Sequence, residues 1–162
     1  MGLGAALWRE LISGLPGSAE MATISVRLLV AIGLGCVLGF QRAHVSKAAG
    51  MRTHMLVALG AAIVVLVPQL TGMSSADSSR VIQGILTGLG FIGGGVILKM
   101  SEQHQIVGIT TAATIWLTAT IGIATGTGRL GLALVGTTLA YIILTVFGWL
   151  EREVLGEQRP EG

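Results

Sequence analysis

Apolar residues run through this chain in long blocks, with the charges gathered between them. Five stretches, Thr23 to Phe40, Thr53 to Leu70, Val81 to Leu98, Val107 to Thr127 and Leu130 to Leu150, contain a single charged side chain, Arg27. At a rise of about 1.5 Å per residue, each can cross a hydrocarbon layer about 30 Å thick as a helix, the form that satisfies its own backbone in lipid. The corners between the third, fourth and fifth stretches are short, so those helices run antiparallel, and Gly126 and Gly128 supply flexible backbone at the last corner. The pattern predicts an all-α polytopic membrane protein: a glycine-rich bundle of five spans over residues 23–150.

Residues 1–22 read differently. Leu3, Leu7, Leu11 and Leu15 recur every fourth position with Trp8 and Ile12 beside them, while Arg9, Glu10 and Ser13 lie opposite. This is the pattern of an amphipathic helix at the membrane interface; an unanchored terminus is the alternative. Arg9 and Glu10 interrupt the apolar run and no basic segment precedes it, so a cleavable signal peptide is not expected. Residues 151–162 form a charged tail too short to fold alone.

Composition agrees with the pattern: 52% of the 162 residues are apolar and 11% charged, far from the quarter expected of a soluble domain. The net charge is +2 and no basic block exists, which excludes a nucleic-acid footprint. Cys36, the one cysteine, reads as a small buried hydrophobe. Arg42, Lys47, Arg52, Lys99, Arg152 and Arg159 fall on one side of the membrane and Arg9, Arg80 and Arg129 on the other. That asymmetry puts the N-terminus outside and the C-terminus in the cytoplasm.

The third span carries its polar and glycine positions on one side. Gln83, Gly84, Thr87, Gly88, Gly90, Gly94 and Gly95 cover just under half the circumference, with Ile85, Leu89, Ile92 and Val96 on the other half as the expected lipid face. The Gly84 to Gly88 step invites close approach of another helix, as do Gly35 and Gly39 in the first span. Gly88, Gly90 and Gly93 have dinucleotide-loop spacing, but no βαβ context surrounds them and no phosphate loop is present, so no nucleotide cofactor is expected. In the fourth span Thr110, Thr114, Thr118 and Thr125 share a narrow face with Thr111 at its margin. Their hydroxyls either return to carbonyls one turn back or form a polar wall opposite Gln83 and Thr87 as a hydrated path.

Arg27 stands inside the first span and either snorkels outward or pairs with Asp77. Asp77 and Arg80 are one turn apart; they form a local N-cap and ion pair, or they gather a divalent cation at a membrane mouth, although one carboxylate is too few for a protein-only Mg²⁺ cage. His44, His54 and His104 lack zinc-ligand spacing, and no nucleophile elbow occurs, so no enzymatic activity is expected.

Three motifs converge on a known family. Ala49-Gly50-Met51-Arg52-Thr53-His54-Met55-Leu56-Val57-Ala58-Leu59-Gly60, Gly88-Leu89-Gly90-Phe91-Ile92-Gly93-Gly94-Gly95 and Gly108-Ile109-Thr110-Thr111-Ala112-Ala113-Thr114-Ile115-Trp116 together resemble the MgtC/SapB family of bacterial inner-membrane proteins. The resemblance runs from about Arg27 to Leu150. It implies a five-helix membrane domain tied to magnesium homeostasis and adaptation to low magnesium, through an ion or small-solute pathway or, alternatively, through regulation of a larger membrane complex such as the rotary ATP synthase. Arg27, Arg42, Arg52, His54, Asp77, Arg80, Gly88, Gly90, Gly93, Gly95 and Glu102 match the family's landmarks. Asp77 and Glu102 are thereby the candidate Mg²⁺ ligands, and Gln41, Arg42, Arg52 and His54 the cytoplasmic mouth.

Two departures stand out. Many members have Glu-Arg-Glu where this chain reads Gln41-Arg42-Ala43, and members tied to virulence have Asn and Cys where Thr110 and Leu117 stand. Archetypal members continue into a cytosolic ACT-like domain, whereas here no soluble sensor is expected. The expected partners are the lipid bilayer, a second copy in a homo-dimer held by the glycine faces, and a membrane protein.

Overall fold

The computed structural model describes residues 2–14, 16–43, 49–100 and 108–155. Among these there is no strand. The elements are α1 (Leu3–Ser13), α2 (Ser18–Ala43), α3 (Met51–Leu70), α4 (Ser75–Met100), α5 (Ile109–Gly126) and α6 (Leu130–Ile142), then a π-helical turn (Ile143–Phe147) and α7 (Gly148–Leu155). Five rods are long and apolar enough to span a membrane: α2, α3, α4, α5, and α6 with its continuation.

The rods overrun the apolar blocks because a helix stops at a breaker and not at the membrane surface. Nothing between Gly17 and Ala43 breaks α2, so Ser18 to Ala22 continue in the same helix as the first apolar block. At the start of α4, Ser74 accepts from the Asp77 N–H (3.2 Å), and its hydroxyl donates to the Asp77 carboxylate (2.7 Å). Ser74, and not Asp77, is therefore the cap of this helix.

Two helices form the centre. The apolar window of α5 is 56% buried and that of α4 only 6%, so α5 is the axis and α4 a peripheral rod. Small residues set the spacing around α3. A Cβ on Gly35 would lie 2.7 Å from the His54 carbonyl oxygen, and one on Gly39 2.6 Å from the Met51 Cα. From the other side Gly122 abuts the Ala58 backbone, and a Cβ on Gly126 would lie 2.6 Å from the Ala62 oxygen. Each pair has GxxxG spacing, and α3 answers with Ala58, Ala61 and Ala62.

Gly126 is thus glycine for packing and not for the corner, as its sequence position suggested. The corner depends on Gly128 (φ +80°), where the Arg129 N–H bonds to the Ala124 carbonyl and the Gly128 N–H to that of Thr125. That is a Schellman stop, which favours a residue without a Cβ penalty in the left-handed region.

The rotation of α4 reverses the sequence expectation. Leu89 is buried, and Ile82, Ile85, Leu86 and Val96 pack with it against Ala61, Val65, Ile115, Ala119 and Ile123 of α3 and α5. Gln83, Gly84, Thr87, Gly88 and Gly90 are exposed, and no atom lies within 4 Å of a Cβ built on Gly84, Gly88, Gly90, Gly94 or Gly95. Of the row, Gly93 alone meets a neighbour, the Ala112 Cβ at 3.5 Å. The expected lipid face is therefore the inner face, except Ile92, which is exposed. The cause is volume: only the branched side chains can fill the gap between α4 and the central pair to native density.

Candidate functional site

Polar side chains collect at the two ends of the bundle. At the end where α2 begins and α5 stops, Arg27 donates to the Gly126 carbonyl (3.0 Å) and to Gln69 Oε1 (3.2 Å), and Gln69 Nε2 donates to the same carbonyl (3.2 Å). A cation is thereby fixed at the C-terminal end of α5, where the helix dipole favours it. Arg27 does not reach Asp77, which is engaged with Ser74 and Arg80; its guanidinium ties α2, α3 and α5 together at this end. Arg27→Met is expected to cost about 2 kcal/mol, the size of a lost charge-assisted bond at a helix end. An unfolding titration in detergent that returns the wild-type midpoint would refute this.

At the opposite end α2 stops while α3 and α5 begin, and three of the four expected mouth residues come together. Arg42 is 7% exposed, and its Nη2 donates to the Thr111 hydroxyl (2.8 Å) in the first turn of α5. His54 is fully buried, with Nδ1 2.9 Å from the Gly50 carbonyl oxygen. A carbonyl can only accept, so Nδ1 carries a proton in this contact. Gln41 Nε2 donates to the Leu144 carbonyl (3.0 Å) in the π-helical turn. Arg42 Nε, His54 Nε2 and Gln41 Oε1 are buried without a hydrogen-bond partner. Such groups are rare in folded proteins and point to a function or an additional ligand. Arg52, the fourth mouth residue, is exposed.

The threonine row is closed off. Thr111, Thr114, Thr118 and Thr125 are each at most 4% exposed. The hydroxyls of Thr114, Thr118 and Thr125 donate to the carbonyls of Thr110, Thr114 and Gly122 at 2.6 to 2.8 Å. Thr110 is exposed. Gln83 and Thr87 point away on the outer face of α4, so the polar wall expected between α4 and α5 does not exist within one chain. Asp77 and Arg80 form an ion pair that is solvent-exposed and contributes little. No group of three or more metal-ligating side chains occurs among the described residues. Glu102, His44 and His104 lie outside them.

Several of these partners escaped the sequence reading. Gly122 and Gly126 carry a GxxxG signal that was there to be found in the fourth span. The Arg42–Thr111 and Arg27–Gln69 pairs join residues far apart in the chain and leave no local trace, and neither does the π-helical turn.

Five spanning helices around a packed axis, with the buried threonine hydroxyls turned to their own helix carbonyls, define a small multi-pass membrane protein. The chain belongs to the MgtC family, whose family model matches residues 28–153. It is 43% identical over 140 residues to the protein SrpB of Synechococcus elongatus, covering 80% of this chain and 77% of that one. It is 38% identical over 128 residues to YhiD of Escherichia coli K12, whose name describes a candidate magnesium transporter, covering 74% and 58%. With the protein MgtC of Salmonella typhimurium LT2 it shares 39% identity over 114 residues, 70% and 48% of the two chains. The chain thus spans about half the length of some of the relatives it matches. No solved structure matches it.

Proposed function

We propose that this protein serves magnesium or ion homeostasis in the bacterial inner membrane as a non-conducting module that acts through contact between helices. The observation that supports this most is Arg42, which stands at the end of the threonine row and bonds to its first buried hydroxyl. A divalent cation 4 Å from that guanidinium would be repelled by about 8 kcal/mol at an effective dielectric constant of 20. The row's own hydroxyls are already turned to carbonyls, so they offer no ready replacement for a hydration shell. The names of the relatives support the link to magnesium; the buried cation argues against conduction along this bundle.

The excess of basic residues places the Arg42 end in the cytoplasm, with the N-terminus outside and the C-terminus inside. The contact surface is the outer face of α4, where Gln83 and Thr87 meet hydrocarbon among glycines, and its occupant is a second copy in a homo-dimer. As a second reading, an ion or small-solute pathway would run between copies along Gln83 and Thr87, since those polar groups face outward. Asp77, the described candidate Mg²⁺ ligand, would stand at its outer end.

Proteoliposomes containing only this chain test the proposal. Mg²⁺ entry should not exceed that into empty vesicles, and saturable entry above that level would overturn the non-conducting reading.

A further inference from the structure

Two long helices begin at the Arg42 end, α3 at Met51 and α5 at Ile109. Both follow a glycine, Gly50 and Gly108, which has no side chain to cap the first turn. Each helix start is equivalent to about half a positive charge, opposed by the ends of α2 and α4 with about half a negative each. With the guanidinium of Arg42 added, the local excess is about +1. These features are in contact. Gly39 in the last turns of α2 rests on Met51, a Cβ on Gly50 would lie 3.9 Å from the Ala43 Cβ, and Arg42 reaches into the first turn of α5.

Among the described residues no carboxylate pairs with Arg42, and the Arg80–Asp77 pair is at the other end. Arg42 is more than nine-tenths buried and its Nε–H donor is unpartnered. The rim is open: Met51 is 37% and Ile109 58% exposed, and Arg52 and Thr110 are exposed too. Backbone donors at two helix starts above an arginine fork suit an anion with several acceptor oxygens better than a simple halide.

We infer that the Arg42 end is a binding site for a phosphate-class oxyanion, seated across the first turns of α3 and α5 with Arg42 beneath it and Arg52 at the rim. The same chemistry is offered by the headgroup phosphate of an anionic phospholipid and by free inorganic phosphate. The inference uses the Arg42 cluster on which the proposed function also draws. Anion binding and ion flux are measured separately, however, so each can fail without the other.

The test uses the full chain in dodecyl maltoside, labelled with ¹⁵N-arginine, and follows the Arg42 Nε–Hε resonance. Short-chain phosphatidylglycerol and inorganic phosphate are titrated separately, with chloride at matched ionic strength as control. A saturable shift with the lipid alone assigns the site to a headgroup, and one with inorganic phosphate assigns it to the free anion. Arg42→Gln is expected to weaken binding by about tenfold or more, and Arg52→Gln by less. Should Arg42→Gln fail to fold, the wild-type resonance decides alone. A resonance that neither probe moves, or that chloride moves equally, overturns the inference.

Discussion

Gly122→Val is expected to lose most of the stability of the bundle, while Gly88→Val leaves the fold of the single chain intact. Both residues are helical glycines in spans, and by composition alone they are equivalent. Gly122 lies on the Ala58 backbone, whose carbonyl carbon and Cα stand 3.0 Å from the position of an added Cβ. Backbone cannot rotate away as a side-chain tip can, so α3 and α5 must separate. Overpacking typically costs about 1 to 3 kcal/mol, and a branched side chain against rigid backbone on the central pair belongs at or above the top of that range. No atom lies within 4 Å of a Cβ on Gly88. Unfolding by sodium dodecyl sulfate in bicelles measures both. Equal midpoints for the two variants would remove the case for α3 and α5 as the packed axis.

The number of spans was legible because the cost of charge in hydrocarbon leaves long gaps between ionic residues. The rotation of α4 was not legible from its pattern. In water an apolar face turns inward, but in lipid both the bundle and its solvent are apolar, so Ile85, Leu89 and Val96 could lie on either side. Packing volume decides, and it depends on what α5 presents, which is small: Ala119, with Ile115 and Ile123 flanking it.

The mouth residues Gln41, Arg42 and His54 were singled out through resemblance, and what brings them together is the pair of glycines Gly35 and Gly39 that draws α2 onto the start of α3. Their hydrogen-bond partners, Thr111 and the Leu144 carbonyl, come from helices that no local pattern links to α2. Arg27 shows the same limit. Sequence placed it within reach of lipid or of Asp77, but the acceptors it finds are the carbonyl of Gly126 at the end of α5 and Gln69.

On the proposed homo-dimer, Gly88→Leu is expected to yield monomers without lowering the stability of the single chain. On the outer face of α4, Gln83 stands about 12 Å along the axis from Ser75, well inside the apolar window. A glutamine amide holds donors and an acceptor together, so two copies of Gln83 facing each other across a two-fold axis complement one another. The glycines around them allow the backbones near enough for that bond to form. Interhelical bonds of this kind contribute about 0.6 to 2 kcal/mol, so Gln83→Ala should weaken association by roughly 3- to 30-fold. Leucine at position 88 should abolish it by keeping the helices apart. Single-molecule photobleaching in bilayers reads both variants against wild type. Unchanged dimer fractions for both would rule out α4 as the interface, and unfolding of the Gly88→Leu monomer would mean that this face is covered within one chain.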